Sequence, residues 1–123
     1  MSGWIGVDLD GTLAKYEGYK GPDYIGEPIP AMLCRVKQWL AEGKTVKIFT
    51  ARVDGGRAAI LLGNDEGWKF ADVEGIKKPI REWCKRHIGV ELEITNVKDY
   101  GMVELWDDLA IRVEKNTGRI LSA

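Results

Sequence analysis

The stretch that most constrains this chain reads Trp4-Ile5-Gly6-Val7-Asp8-Leu9-Asp10-Gly11-Thr12-Leu13. Ile5, Val7 and Leu9 supply the apolar side chains of a buried strand, and Gly11-Thr12 can turn the backbone. Asp8 and Asp10 interrupt that apolar run, two positions apart, and project to one side of the strand if it continues that far. Burying an ionised carboxylate costs on the order of several kcal/mol unless something compensates it. A divalent cation is the simplest compensation. A lone Asp-Gly pair is more often a hairpin turn, but here a second aspartate precedes it and the next regular segment reads as a helix, not a return strand.

The 123 residues suit one domain, 1–123, with a single core. A composition of 45% hydrophobic and 30% charged residues is that of a globular chain. With neither a membrane-length apolar run nor a secretory start, the expected address is the cytoplasm, with no membrane partner. A formal net charge of -1 gives no electrostatic case for strong non-specific binding to nucleic acid. Cys34 and Cys84 lack the close spacing of a zinc or redox motif. His87, near the end of a helical segment where a cation suits the dipole, is expected to be structural.

In chain order, residues 4–9 form the first strand. Residues 14–30 are broken by Gly18, Gly21, Pro22, Gly26, Pro28 and Pro30 and carry Tyr16, Tyr19 and Tyr24. The length of this loop fits a flap over the carboxylates, and the tyrosines fit equally a loop stapled to the core. From Pro30, Met32, Leu33, Val36, Trp39 and Leu40 recur at helical spacing up to Gly43. Residues 45–50 form a second strand ending on Thr50. Strand, helix and strand predict a parallel pair with a right-handed crossover, so Asp8 and Thr50 share the carboxyl edge, where open α/β sheets bind ligands.

Residues 51–76 read as an irregular excursion over that edge, with one or two helical turns at 58–62. Arg52 and Arg57 are candidate anion contacts there, although a solvated surface position is the commoner fate for Arg57. Pro79 to Ile88 reads as a helix with Ile80, Trp83 and Cys84 on one stripe. Strands follow at 91–97 and 103–106. The link between them is shorter than the dozen or so residues of a parallel crossover, so either the two are not direct neighbours or their bounds are displaced. Asn116-Thr117-Gly118 fits a hairpin turn. The fold class is α/β with a mainly parallel sheet, and neither 14–30 nor 51–76 is long enough to form a separate cap domain.

Asp8 with Asp10 and Asp107 with Asp108 stand at the ends of two apolar strands. If those ends converge, the carboxylates repel unless a hard cation sits among them, and oxygen ligands with waters suit magnesium. A magnesium ion recruits phosphate oxygens. Thr50 as a neutral donor and a lysine as a fixed charge supply what a phosphoryl group's other oxygens require.

These residues resemble the haloacid dehalogenase-like (HAD) phosphohydrolases over nearly the whole chain. Asp8-Leu9-Asp10-Gly11-Thr12-Leu13 is similar to the family's first motif and carries most of the specificity. Thr50 in Ile48-Phe49-Thr50-Ala51-Arg52 is similar to the second, a lysine to the third, and Asp107-Asp108 to the fourth, all in the family's order. The resemblance implies a three-layer Rossmann-like domain of the compact, capless type. It implies that Asp8 is the nucleophile that becomes aspartyl-phosphate and that Asp10 is the general acid and base. It implies a magnesium ion held by Asp8, the Asp10 backbone carbonyl and Asp107 or Asp108. An acid at position 10 separates phosphatases from the family's dehalogenases, phosphonate-cleaving members and P-type ATPases. Lys98, nine residues before Asp107, is favoured for the third motif, with Lys78 before Pro79 as the alternative. The expected substrate is a small-molecule or nucleotide phosphomonoester. An open, capless site also admits a nucleic-acid end, which the chain's charge does not support.

Two rival readings share these residues. A phospho-acceptor receiver domain has its adjacent acidic pair on the first strand and a lone aspartate mid-chain; here the pair comes last. A phosphate-binding regulatory domain that lost turnover finds no missing motif residue to support it.

Overall fold

The computed structural model describes residues 3–54 and 73–121. Arg57 and the turns expected at 58–62 lie outside them. The described elements run β1 (Trp4–Asp8), α1 (Pro30–Ala41), β2 (Thr45–Phe49), a short 3-10 turn (Ala51–Val53), α2 (Val73–His87), β3 (Glu93–Thr95) and β4 (Met102–Trp106). The four strands form one parallel sheet in the order β3-β2-β1-β4. The α/β class with a parallel sheet is therefore the observed one.

Alternation along the strands sorts the sheet's faces. Ile5, Val7, Val46, Ile48 and Ile94 point one way and are buried in a single core with Met32 and Val36 of α1 and Ile76, Ile80, Trp83 and Cys84 of α2. Two successive right-handed crossovers stepping the same way, β1 to β2 and β2 to β3, put both helices on that one face. The other face carries Trp4, Gly6, Lys47 and Phe49, and no helix among the described residues covers it.

The link between β3 and β4 resolves the short-connection problem, since these strands lie at opposite edges of the sheet. Seven backbone steps from Thr95 to Met102 reach about 25 Å at most. They must traverse three inter-strand spacings, about 14 Å, while returning to the start of β4. The segment therefore has no room for a helix, and it enters β4 through a tight turn in which Met102 N donates to Asp99 O at 3.1 Å. Trp4 anchors it: the indole Nε1 donates to Asp99 Oδ1 at 2.8 Å, and Trp4 N donates to Gly101 O at 2.8 Å. Lys47 Nζ sits 4.6 Å from the centre of the Trp4 ring and pairs with Glu93 at 2.8 Å.

Three expected boundaries need correction. The last helix begins at Val73, and Pro79 lies inside it. Proline removes only its own hydrogen bond to the preceding turn, and the Ile76, Ile80, Trp83 and Cys84 stripe buried on both sides of it holds the helix together. The irregular excursion accordingly stops short of residue 76. The third strand is only Glu93–Thr95, because the chain must leave the sheet at once to cross it.

The loop after β1 has a closed base. Ala14 pairs with Pro28, Lys15 N donates to Glu27 O at 2.8 Å, and Ile29 N donates to Leu13 O at 2.7 Å. Trp83 Nε1 donates to Gly26 O at 2.9 Å in a buried bond, and a side chain on Gly26 would overlap the Lys15 carbonyl oxygen. Tyr16 and Tyr24 are about half exposed, so their burial in the core is not what fixes this loop. Among the described residues, no helix is long and apolar enough to cross a membrane.

Replacing Trp83 by Phe keeps the ring's apolar bulk but leaves the Gly26 carbonyl without its donor. Chemical denaturation of Trp83→Phe should show a loss of about 1–3 kcal/mol; unchanged stability would mean that this bond does not secure the loop base.

Candidate active site

β1 ends at Asp8, and the chain folds tightly back on itself. Leu13 N donates to Leu9 O at 3.0 Å, Ala14 N donates to Leu9 O at 2.8 Å, and Gly11 N donates to Ala14 O at 2.8 Å. Leu9 and Leu13 anchor this turn in the core, fully buried. Asp8 and Asp10 therefore do not continue one strand, and their carboxylates are sent to different neighbours.

Asp8 meets the fourth strand's end. Carboxylate oxygens of Asp8, Asp107 and Asp108 lie within 4.8 Å of one another. Thr12 links them: its hydroxyl lies 3.3 Å from Asp8 Oδ2 and donates to Asp108 Oδ1 at 3.0 Å, while accepting from Asp108 N at 2.9 Å. Gly11 has a φ of +92°, and a Cβ there would stand 2.6 Å from Asp108 Oδ2. Only glycine suits both that backbone conformation and that approach. Asp107 Oδ1 accepts from Leu109 N at 2.9 Å, which fixes the turn leaving β4. Behind the cluster, Trp106 packs against Trp39 of α1 at 5.2 Å between ring centroids, and the Arg35 guanidinium lies 5.4 Å from the Trp106 ring.

The cluster has no countercharge: among the described residues, none of its three carboxylates has an ion-pair partner. Burial, a carboxyl–carboxyl hydrogen bond with Asp108 and repulsion from Asp107, Asp108 and Asp10 push the Asp8 carboxyl up to about 7. Three hard oxygen donors held this close fit a divalent cation, and magnesium suits such a set completed by waters and phosphate oxygens.

Thr50 stands at the end of β2, where Asp8 of β1 pairs in register with Phe49. It is 2% exposed, its N donates to Thr95 O at 2.9 Å, and its Oγ1 accepts from Arg52 N at 3.2 Å. The hydroxyl retains its own hydrogen for donation. No family model, no curated protein and no solved structure matches the chain.

The remaining expected residues fall differently. Asp10 lies outside the three-carboxylate group, and both its oxygens accept from Arg52, at 2.7 and 2.9 Å. Arg52 thus faces Asp10 and the Pro22 and Tyr24 carbonyls of the loop after β1, not the cluster. Lys98, on the link between β3 and β4, and Lys78, on α2, are both exposed, and among the described residues neither forms an ion pair with the cluster. Sequence reasoning placed Thr12 and Gly11 in a motif but gave them no part in the site. The signal was their position directly after the second carboxylate, yet the partner they serve is Asp108, 96 residues from Thr12.

A carboxyl that keeps its proton to about 7 when folded, and only to its ordinary value of 3.8 when unfolded, binds more protons in the folded chain between those values. Its contribution to stability is complete below about pH 4 and is lost as pH rises through about 7. Without divalent cations, the melting temperature should therefore fall over that window relative to Asp8→Asn, and millimolar magnesium should raise it at neutral pH. Parallel pH profiles for the two proteins would contradict this electrostatic picture. Gly11→Ala should abolish the magnesium-dependent rise by displacing Asp108.

Proposed function

We propose that this chain is a magnesium-dependent phosphatase that hydrolyses a phosphomonoester through an aspartyl-phosphate intermediate. The carrying observation is the group formed by Asp8, Asp107 and Asp108, three carboxylates within 4.8 Å with no ion-pair partner among the described residues, beside the buried Thr50. The order of motifs that resembles the HAD phosphohydrolases gives the same roles to the same residues. The proposal extends to a three-layer Rossmann-like domain without a cap, to nucleotides or nucleic-acid ends among the substrates, and to a cytoplasmic address, in keeping with two unpaired cysteines.

The Asp8, Asp107 and Asp108 carboxylates and the Asp10 backbone carbonyl would hold the magnesium ion. When bound, it supplies the positive charge that lets a phosphate's oxygens approach this acidic edge. An Asp8 oxygen attacks phosphorus in line as the bond to the leaving oxygen breaks. Asp10 gives that oxygen its proton. In the second half Asp10 takes a proton from water, the water oxygen attacks phosphorus, the bond to Asp8 breaks, and phosphate leaves. The Thr50 hydroxyl donates to a non-bridging oxygen, and Lys98, or Lys78 in its place, balances the phosphoryl charge. Thr12 keeps Asp8 and Asp108 in register through both steps.

Magnesium-dependent hydrolysis of an aryl phosphate tests the proposal. Asp8→Asn should reduce turnover to background, and Asp10→Asn should lower kcat by about 100- to 10,000-fold, through loss of the base in the second half, while phosphate-analogue binding persists. Full activity in either variant would contradict the assigned roles. Binding of phosphate analogues without turnover of a broad phosphomonoester panel would instead favour the regulatory alternative.

A further inference from the structure

Arg52 is 9% exposed in its side chain, and among the described residues its guanidinium contacts run to the loop that follows β1. Nε donates to Asp10 Oδ2 at 2.7 Å and Nη2 to Asp10 Oδ1 at 2.9 Å. Nη2 also donates to Tyr24 O at 2.9 Å, Nη1 donates to Pro22 O at 3.3 Å, and the Tyr19 ring centre lies 5.9 Å from the guanidinium carbon. A planar fork that engages both carboxylate oxygens fixes the carboxylate's plane as well as its position. The loop's base is secured separately, by Ala14 with Pro28 and by Trp83 with Gly26. Arg52 therefore joins two things that the base does not: the Asp10 carboxylate and the loop's outer part at Pro22 and Tyr24.

We propose that Arg52 is the positioning residue for Asp10 and at the same time the strap of the flap, so that the acid and the loop are held as one unit. This rests on the phosphatase reading. In the step concerned, the Asp8 O–P bond forms and the bond from phosphorus to the leaving oxygen breaks, while the Asp10 O–H bond breaks and a covalent O–H bond forms on that leaving oxygen, so its rate depends on where the Asp10 oxygens stand. Arg52 needs no contact with the substrate to set that rate. Lysine, a single point charge, cannot engage both oxygens and both carbonyls at once.

The leaving group separates positioning from a general structural role. 4-Nitrophenolate departs without needing a proton, whereas an alkoxide needs one. The comparison uses kcat/KM, which reports the steps up to leaving-group departure, for 4-nitrophenyl phosphate and an alkyl phosphomonoester with the full-length, magnesium-supplemented chain. Arg52→Gln should lose about tenfold or more on the alkyl ester and less than about threefold on 4-nitrophenyl phosphate. Asp10→Asn should show the same skew and Arg52→Lys an intermediate one. Equal losses on both esters, or none, would overturn the proposal. Trypsin cleavage after Lys20 supplies a readout independent of turnover: it should be faster in Arg52→Gln, or in Arg52→Lys if the glutamine variant fails to fold. Unchanged cleavage would refute the strap. A wild-type chain that hydrolyses neither ester would refute the phosphatase reading and with it Arg52's catalytic part, leaving the strap to be decided by the cleavage rates.

Discussion

Mutual repulsion among Asp8, Asp107 and Asp108 is the constraint around which this structure is arranged. Three carboxylates are brought to one point by two adjacent parallel strands, and no lysine or arginine is spent on them among the described residues. Holding like charges together takes specific devices. Thr12 bridges the two strand ends through its hydroxyl, Gly11 clears space for the Asp108 carboxylate, and Leu9 and Leu13 pin the intervening turn in the core. The cost of this arrangement shows in the Asp8 carboxyl, which burial and its acidic neighbours raise to about 7. The magnesium ion proposed above would offset this cost.

The two aspartates of the opening stretch have been given opposite environments. Among the described residues Asp8 has acidic neighbours and no countercharge, while Asp10 has a guanidinium on both oxygens. Groups of one chemical type placed in contrasting surroundings are how one site supplies different roles. Here the contrast is created by ending β1 at Asp8, because two more residues of regular strand would have sent both carboxylates to the same side.

Much of the architecture was legible in the sequence because it depends on local periodicity. Ile5, Val7 and Ile48 read as buried strand residues, Met32 and Val36 as one face of a helix, and the β1-α1-β2 unit fixed Asp8 and Thr50 at one edge. The parts that escaped depend on contacts remote in sequence. Pro79 reads locally as a helix start, but the burial of Ile76 on its amino-terminal side extends the helix through it. The shortness of β3 follows from where β4 lies, which the local residues do not encode. The partners of Arg52 are likewise invisible in the sequence, since an arginine after a strand end reads equally as an anion contact or a solvated side chain.

Whether the three-carboxylate cluster holds a divalent cation, as proposed, is measured directly by titration calorimetry with magnesium chloride. One magnesium ion should bind per chain at neutral pH, and that binding should be lost in both Asp8→Asn and Asp108→Asn, with circular dichroism spectra unchanged. Absence of binding by the folded wild-type chain at millimolar magnesium, or equal binding by the two variants, would contradict the proposal.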